Sequence, residues 1–191
     1  MKSHSAHAAI LIGSNIQPEV YLPLAVEQLK KSVWLEALSS AWETPAVGSK
    51  GPNFLNAVGV FTTQRSIDEL KADVLRPLED QMGRVRSADK FAPRTLDLDL
   101  IVWDDQIIEE DVWRYAHIAV PLAEALGFVP TRLPVQKLRH ISQTFLRTSS
   151  IQRRADVLDG GELIALGDVL LRQSEKGFQR HGARVLVVPQ T

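Results

Sequence analysis

Residues 83–103 read GRVRSADKFAPRTLDLDLIVW. The second half alternates: Leu96, Leu98 and Leu100 fall on one side, Asp97 and Asp99 on the other. Side chains on a strand repeat every two residues, so both carboxylates project from one face while the leucines turn toward a core. Alone, LDLDL is more often a solvated sheet face than a site, because antiparallel sheets with one wet side alternate in this way. The preceding residues shift that balance. Arg84, Arg86, Lys90 and Arg94 lie just upstream, and Pro93 fixes the backbone so that Arg94 stands at the strand start. Two carboxylates on a rigid strand beside several cations suit a divalent metal and a polyphosphate. Mg²⁺ is usually held by one or two carboxylates plus substrate phosphates, and guanidinium forks match phosphate oxygens.

Working outward, Ala8–Ile12 is a short apolar strand, ended by the turn residues Gly13, Ser14 and Asn15. Leu22, Val26 and Leu29 give helical spacing over Val20–Lys31. Leu35–Glu43 reads as a second strand and Phe54–Thr62 as a third, joined by a loop containing Pro45, Gly48, Gly51 and Pro52. Ser66 with Glu69 forms a capping box that opens a second helix, which Gly83 closes near Met82. Pro77 lies inside that helix and predicts a kink. Arg94–Trp103 is the fourth strand.

The order is therefore βαββαβ, the ferredoxin-like arrangement of an α+β protein. It predicts an antiparallel sheet with both helices on one face and the other face open to ligands. Beyond Trp103 come an acidic loop or short hairpin and helices over Val120–Leu126 and Val135–Leu146. Residues 1–130 hold 12 basic and 18 acidic residues, whereas residues 131–191 hold 10 and 5. This asymmetry divides the chain into a 1–130 α+β domain and a basic 131–191 C-terminal extension packed on it.

With 191 residues, 45% of them hydrophobic, the chain can build one ordinary core, and 24% charged residues do not suggest disorder. It has no cysteine, which excludes disulfides, thiolate metal sites and a cysteine nucleophile. A net charge of −1 excludes a generally basic nucleic-acid binder. No apolar run approaches the roughly 18 residues of a membrane span. The expectation is a cytoplasmic protein whose partners are small molecules, with neither nucleic acid nor membrane among them.

The segments Ile12–Asn15, Glu43–Pro45, Phe54–Val58, Gly83–Arg86 and Pro93–Leu100 occur in an order and spacing that resemble the 6-hydroxymethyl-7,8-dihydropterin pyrophosphokinases of folate synthesis. The resemblance covers residues 8–117, more than half the chain. It implies an enzyme that transfers pyrophosphate from ATP, its co-substrate, to the hydroxymethyl group of the reduced pterin and releases AMP. By the same resemblance, Asp97 and Asp99 hold a pair of Mg²⁺ ions, and with Arg84 and Arg94 they form the catalytic set. Glu79, Arg84, Arg86, Arg94, Leu100 and His117 contact ATP. Thr44, Pro45, Val47, Phe54 and Asn56 form the pterin pocket, with Phe54 stacking and Asn56 on the polar edge of the ring. Phe91 stands where the family often has tryptophan, in a closing loop. Such transfer is mostly positioning and charge neutralisation, so no side-chain nucleophile is required.

The chain departs from the family after the fourth strand. His117 is present, but Ala116 replaces a proline, Ile118 replaces an aromatic, and the segment before Pro121 is shortened. That segment would carry an arginine and the second aromatic of the pterin sandwich, a role that leaves Phe128, Phe145 and Phe178 as substitutes. The competing expectation is a non-catalytic or altered-substrate ferredoxin-like module that binds nucleotide or pterin. A nucleotidyltransferase is disfavoured, because Asp97 lies 83 residues after Ser14 rather than close behind the turn.

Overall fold

The structure is a computed structural model that describes residues 5–48, 51–86, 89 and 92–158. Its centre is β1 (Ala6–Ser14), which is buried almost throughout. β1 pairs antiparallel with β4 (Phe54–Thr63) on one side and β5 (Asp97–Trp103) on the other. β6 (Gln106–Ile107) extends the sheet beyond β5; β2 (Leu35–Leu38), β3 (Ala41–Thr44) and β7 (Gln152–Arg154) extend it beyond β4. The order β5-β1-β4 followed by β2 and β3 is the expected ferredoxin-like core.

The single second strand predicted over Leu35–Glu43 is two strands. Ser39 breaks it: its N–H donates to the Val58 carbonyl and its Oγ accepts from the Val58 N–H, both at 2.9 Å. Ser40 turns aside, its N–H and Oγ donating to the Glu124 carboxylate at 3.2 and 2.8 Å.

α1 (Pro18–Ser32) starts on a proline whose missing N–H costs nothing at a helix start, and it buries Leu22, Ala25, Val26 and Leu29. α2 (Ile67–Leu70) opens with the predicted Ser66–Glu69 capping box. Ahead of Pro77, where a kink is predicted, the helix widens into a π-helical turn over Lys71–Leu75, followed by α3 (Arg76–Gln81) with the proline in its first turn. The wider turn accommodates the proline at a point where no intrahelical N–H is needed. Gly83, at φ 74°, ends the helix as expected, its N–H donating to the Asp80 carbonyl at 3.0 Å.

The main core lies between α1–α3 and one sheet face, with Ile10, Ile12, Leu29, Leu55, Phe61, Leu70 and Leu96 fully enclosed. The other face is not open along its length, contrary to expectation. α4 begins at Ala116 rather than Val120 and runs to Ala125; with α5 (Val135–Thr148) it covers Ala9, Val58, Val60 and Ile101 in a second core. Among the described residues, the end of that face carrying Gly13, Phe54 and Asp97 is left as a recess. β7 pairs with β3, Arg153 opposite Trp42, and α5 packs on α4. No described helix is long and apolar enough to cross a membrane.

Candidate functional site

The recess is a cavity of about 570 Å³, within the usual range for a small-molecule site. Its floor is the uncovered end of three adjacent strands. β1 contributes Leu11 and Gly13, β4 contributes Phe54 and Asn56, and β5 contributes Asp97 and Asp99. The register sets Gly13 opposite Asn56 on one side and opposite Asp97 on the other. A Cβ at Gly13 would lie 3.2 Å from Asn56 Oδ1 and 3.9 Å from the Asp97 Cβ, so the glycine keeps the floor clear between them. β3 and the loop after it add Thr44, Pro45, Val47 and Gly48; the chain leading into α4, with the first turn of that helix, adds Asp111, Tyr115 and His117.

Each polar group is held by its neighbours. Asn56 is buried and donates through Nδ2 to Thr44 Oγ1 at 3.1 Å, which fixes its amide. Asn15 grips the backbone of Arg94 from both sides: its Oδ1 accepts the Arg94 N–H at 2.7 Å and its N–H donates to the Arg94 carbonyl at 3.1 Å. Asn15 Nδ2 also donates to the Pro52 carbonyl, tying the β3–β4 loop to the same point. Arg94 then reaches Asp97 Oδ2 at 2.5 Å, while Arg84 binds Asp97 Oδ1 and donates to the Leu96 carbonyl at 2.6 Å.

A second ionic layer stands behind this one. Glu79 is buried, accepts the Leu98 N–H at 3.0 Å and receives Arg86 at 3.0 Å; Arg86 also binds Asp80 at 2.6 Å. Arg84 lies 3.6 Å from Glu79. The two carboxylates of β5 therefore differ. Asp97 is clasped by two guanidinium groups, whereas Asp99 opens onto the cavity with no hydrogen bond or ion pair among the described residues. Although accessible, Asp99 sits deep enough that loss of hydration, with the charges of Asp97 and Glu79, pushes its carboxyl up to about 6 against the pull of Arg84 and Arg94. Burial pushes the His117 imidazole down to about 4, with Asp111 opposing, so the ring is neutral at neutral pH.

The structure brings together Asp97, Asp99, Arg94, His117, Thr44, Pro45, Val47, Phe54 and Asn56 in one cavity. It does not bring Arg84, Arg86 or Glu79 to the cavity wall, because they are spent on one another and on Asp97 and the β5 backbone. Leu100 turns the opposite way, into the main core, as the strand period requires. Phe91 and Phe178 lie outside the described residues. Of the aromatic substitutes, Phe128 lines neither this cavity nor the smaller one beside it, whereas Phe145 lines the smaller. Sequence reasoning missed Gly13, Asp111 and Tyr115 as cavity residues and the clamp made by Asn15. Gly13 and Asn15 had a signal, their place in the Gly-Ser-Asn turn; Asp111 and Tyr115 had none.

The protein thus combines a ferredoxin-like α+β fold with a strand-floored cavity that holds arginine-braced carboxylates together with aromatic and amide groups. Residues 9–127 match the 7,8-dihydro-6-hydroxymethylpterin-pyrophosphokinase family, and the chain belongs to it. It is 32% identical over 130 residues to a 2-amino-4-hydroxy-6-hydroxymethyldihydropteridine pyrophosphokinase of Synechocystis sp., which covers 62% of this chain and 66% of that one. It is 33% identical over 130 residues to the same-named protein of Bacillus subtilis, covering 61% and 76%. The Synechocystis and Aquifex aeolicus relatives are each spanned for 66% of their length, just under two thirds. A crystal structure of Plasmodium falciparum HPPK-DHPS with pteroate shares the fold at a TM-score of 0.54 and 10% identity, covering 77% of this chain and 43% of that one.

Proposed function

We propose that the chain transfers the terminal pyrophosphate of ATP to the hydroxymethyl oxygen of 6-hydroxymethyl-7,8-dihydropterin, releasing AMP. The observation that carries this is the meeting of Asp97, Asp99 and Arg94 with Thr44, Phe54 and Asn56 in one cavity of a chain belonging to this family. In the reaction the hydroxymethyl oxygen bonds to the β-phosphorus, and the bond from that phosphorus to the α–β bridging oxygen breaks. AMP leaves with that oxygen, and the hydroxyl proton passes to solvent.

The residues present fit Mg²⁺. Asp97 and Asp99 turn hard oxygens to one strand face; Asp99 has no ion pair among the described residues, and Asp97 would share its oxygens with Arg84 and Arg94. Among the described residues no third carboxylate or histidine joins them, so phosphate oxygens would complete the shell, as is usual for this ion. Bound there, the metal supplies charge neutralisation on the triphosphate. Arg94 supplies a fixed cation at the phosphate end, with its backbone locked by Asn15. Arg84, Arg86 and Glu79 act one step back by holding Asp97 and β5 in place. Phe54 offers a ring face, and the fixed Asn56 amide offers polar atoms to a heterocycle edge.

The test is purified chain with ATP, Mg²⁺ and 6-hydroxymethyl-7,8-dihydropterin, resolving nucleotide and pterin products. AMP with pyrophosphorylated pterin in equal amounts is the expected result. Pyrophosphate release indicates nucleotidyl chemistry instead. Binding of both substrates without AMP indicates a non-catalytic module.

A further inference from the structure

β7 lies beyond residues 9–127, which match the family, and it gives the sheet its outer strand on the β3 side. β3 is four residues long and is paired on both edges, by β4 and by β7, with Ala41 opposite Arg154 and Glu43 opposite Gln152. Thr44 ends β3, and it lines the cavity together with Pro45 and Val47 just beyond. Where the end of β3 is held therefore decides where one wall of the cavity stands.

Glu43, beside Thr44, is not a cavity residue; it shares a strand face with Ala41. Its carboxylate ties the two ends of the β3–β4 loop together. Oε1 accepts from Asn53 Nδ2 at 2.9 Å, and Asn53 is the last residue before β4. Oε2 accepts from Arg154 Nη1 at 2.8 Å. The Glu43 carboxyl is held below the usual carboxylate range, by the Asn53 amide first and by Arg154 second.

Arg154 is itself fixed. Its Nε and Nη2 donate to the two oxygens of Asp156 at 3.0 and 2.9 Å, and its carbonyl accepts from the Val157 N–H at 3.1 Å. Val157 and Leu158 pack against the main core. A connected path thus runs from the core through Arg154 to Glu43, and from there to both ends of the loop. Exposed ion pairs usually contribute little, because two long side chains must be ordered to make them. Here both side chains are 27% exposed, and the guanidinium plane is already set by Asp156. Glu19 also lies 3.8 Å from the guanidinium, so without it Glu43 would be left beside two other carboxylates.

We propose that Arg154 is a positioning residue for the acceptor end of the site: acting through Glu43, it fixes the stem of the β3–β4 loop and with it Thr44, Pro45 and Val47. This rests on the pterin acceptor stated above. It gives the C-terminal extension a function, since a strand outside the family match sets how the acceptor pocket is held.

The experiment is steady-state kinetics with ATP, Mg²⁺ and 6-hydroxymethyl-7,8-dihydropterin, each substrate varied in turn. R154A raises the pterin KM about three- to tenfold, the size of one lost coupling between neighbouring groups, and leaves the nucleotide KM and kcat unchanged. R154K keeps a cation within reach of Glu43 and recovers most of the loss. E43A raises the pterin KM at least as far as R154A, and the double variant raises it no further than E43A alone, because both act by one route. An unchanged pterin KM in R154A, or an equal rise in both KM values, overturns the proposal. Additive loss in the double variant overturns the route through Glu43. A parent chain that forms no pyrophosphorylated pterin overturns the acceptor reading and this inference with it, an outcome visible before any variant is made.

Discussion

The two faces of the sheet are built from the same strands to opposite ends. On the α1–α3 face, alternate residues of β1, β4 and β5 are Ile10, Ile12, Leu55, Leu98 and Leu100, closed over by helices. On the other face the intervening residues change character along the strand. Ala9, Val58 and Ile101 lie under α4, whereas Gly13, Asn56, Asp97 and Asp99 lie beyond it. A site in this fold is therefore the part of a core face that its covering helix does not reach, rather than a separate structure added to it. Hydrophobic residues continue as far as α4 extends, and polar residues begin where it stops.

Substitutions on the two faces of the chain at the start of β5 should break in different ways. Leu96→Ala removes a fully buried side chain and should cost about 2–5 kcal/mol, seen as a lower denaturation midpoint. Asp99→Asn, three residues on, should leave that midpoint unchanged or higher, since it removes a charge set beside the like charges of Asp97 and Glu79, while turnover falls about 10²–10³-fold. Equal losses of stability in the two variants would break the contrast between the faces.

Asn15→Ala is expected to lie between them. It leaves the Arg94 N–H and the Pro52 carbonyl without their partner and should cost about 1–3 kcal/mol, with weakened nucleotide binding as well. The smallest effect is expected at the other end of β1. His7 is held by Glu36, at 3.6 Å, and Asp105, at 3.1 Å; Glu36 most of all raises its pKa, against the opposing effect of burial. A raised value means that its stabilising contribution is complete below its unfolded value of 6.5 and is lost as pH rises through the folded one. His7→Gln should flatten that part of the stability–pH curve and leave turnover unchanged, since His7 does not line the cavity.

Much of this was legible because the signals were local. The alternation of Leu96–Leu100, the Ser66–Glu69 box and the Gly83 stop each depend on neighbours in sequence, and each stands as expected. The misreadings arose where a distant group decided the outcome. The break at Ser39 depends on Val58, and the half-covered face depends on how α4 packs across β4. In the site, spacing marked Asp97, Asp99 and Arg94 as neighbours, while Thr44, Pro45, Val47, Phe54 and Asn56, which line the same cavity, came from the family resemblance. Spacing could not show that Arg84, Arg86 and Glu79 neutralise one another behind β5, since sequence counts charges without pairing them. Tyr115 gave no signal because its position follows from the first residue of α4, which sequence misplaced.

The register of Gly13 also acts as a ruler. Asn56 and Asp97 flank it on β4 and β5, so their backbones are held two strand spacings apart, about 9–10 Å. Main-chain hydrogen bonds set that span, and no side-chain substitution alters it. A slip of one residue would turn Asp97 into the core, and a slip of two would carry it roughly 6–7 Å along the strand. The distance between the two ends of a bound ligand is therefore graduated in coarse steps by the backbone, while side chains adjust only what is held at each mark.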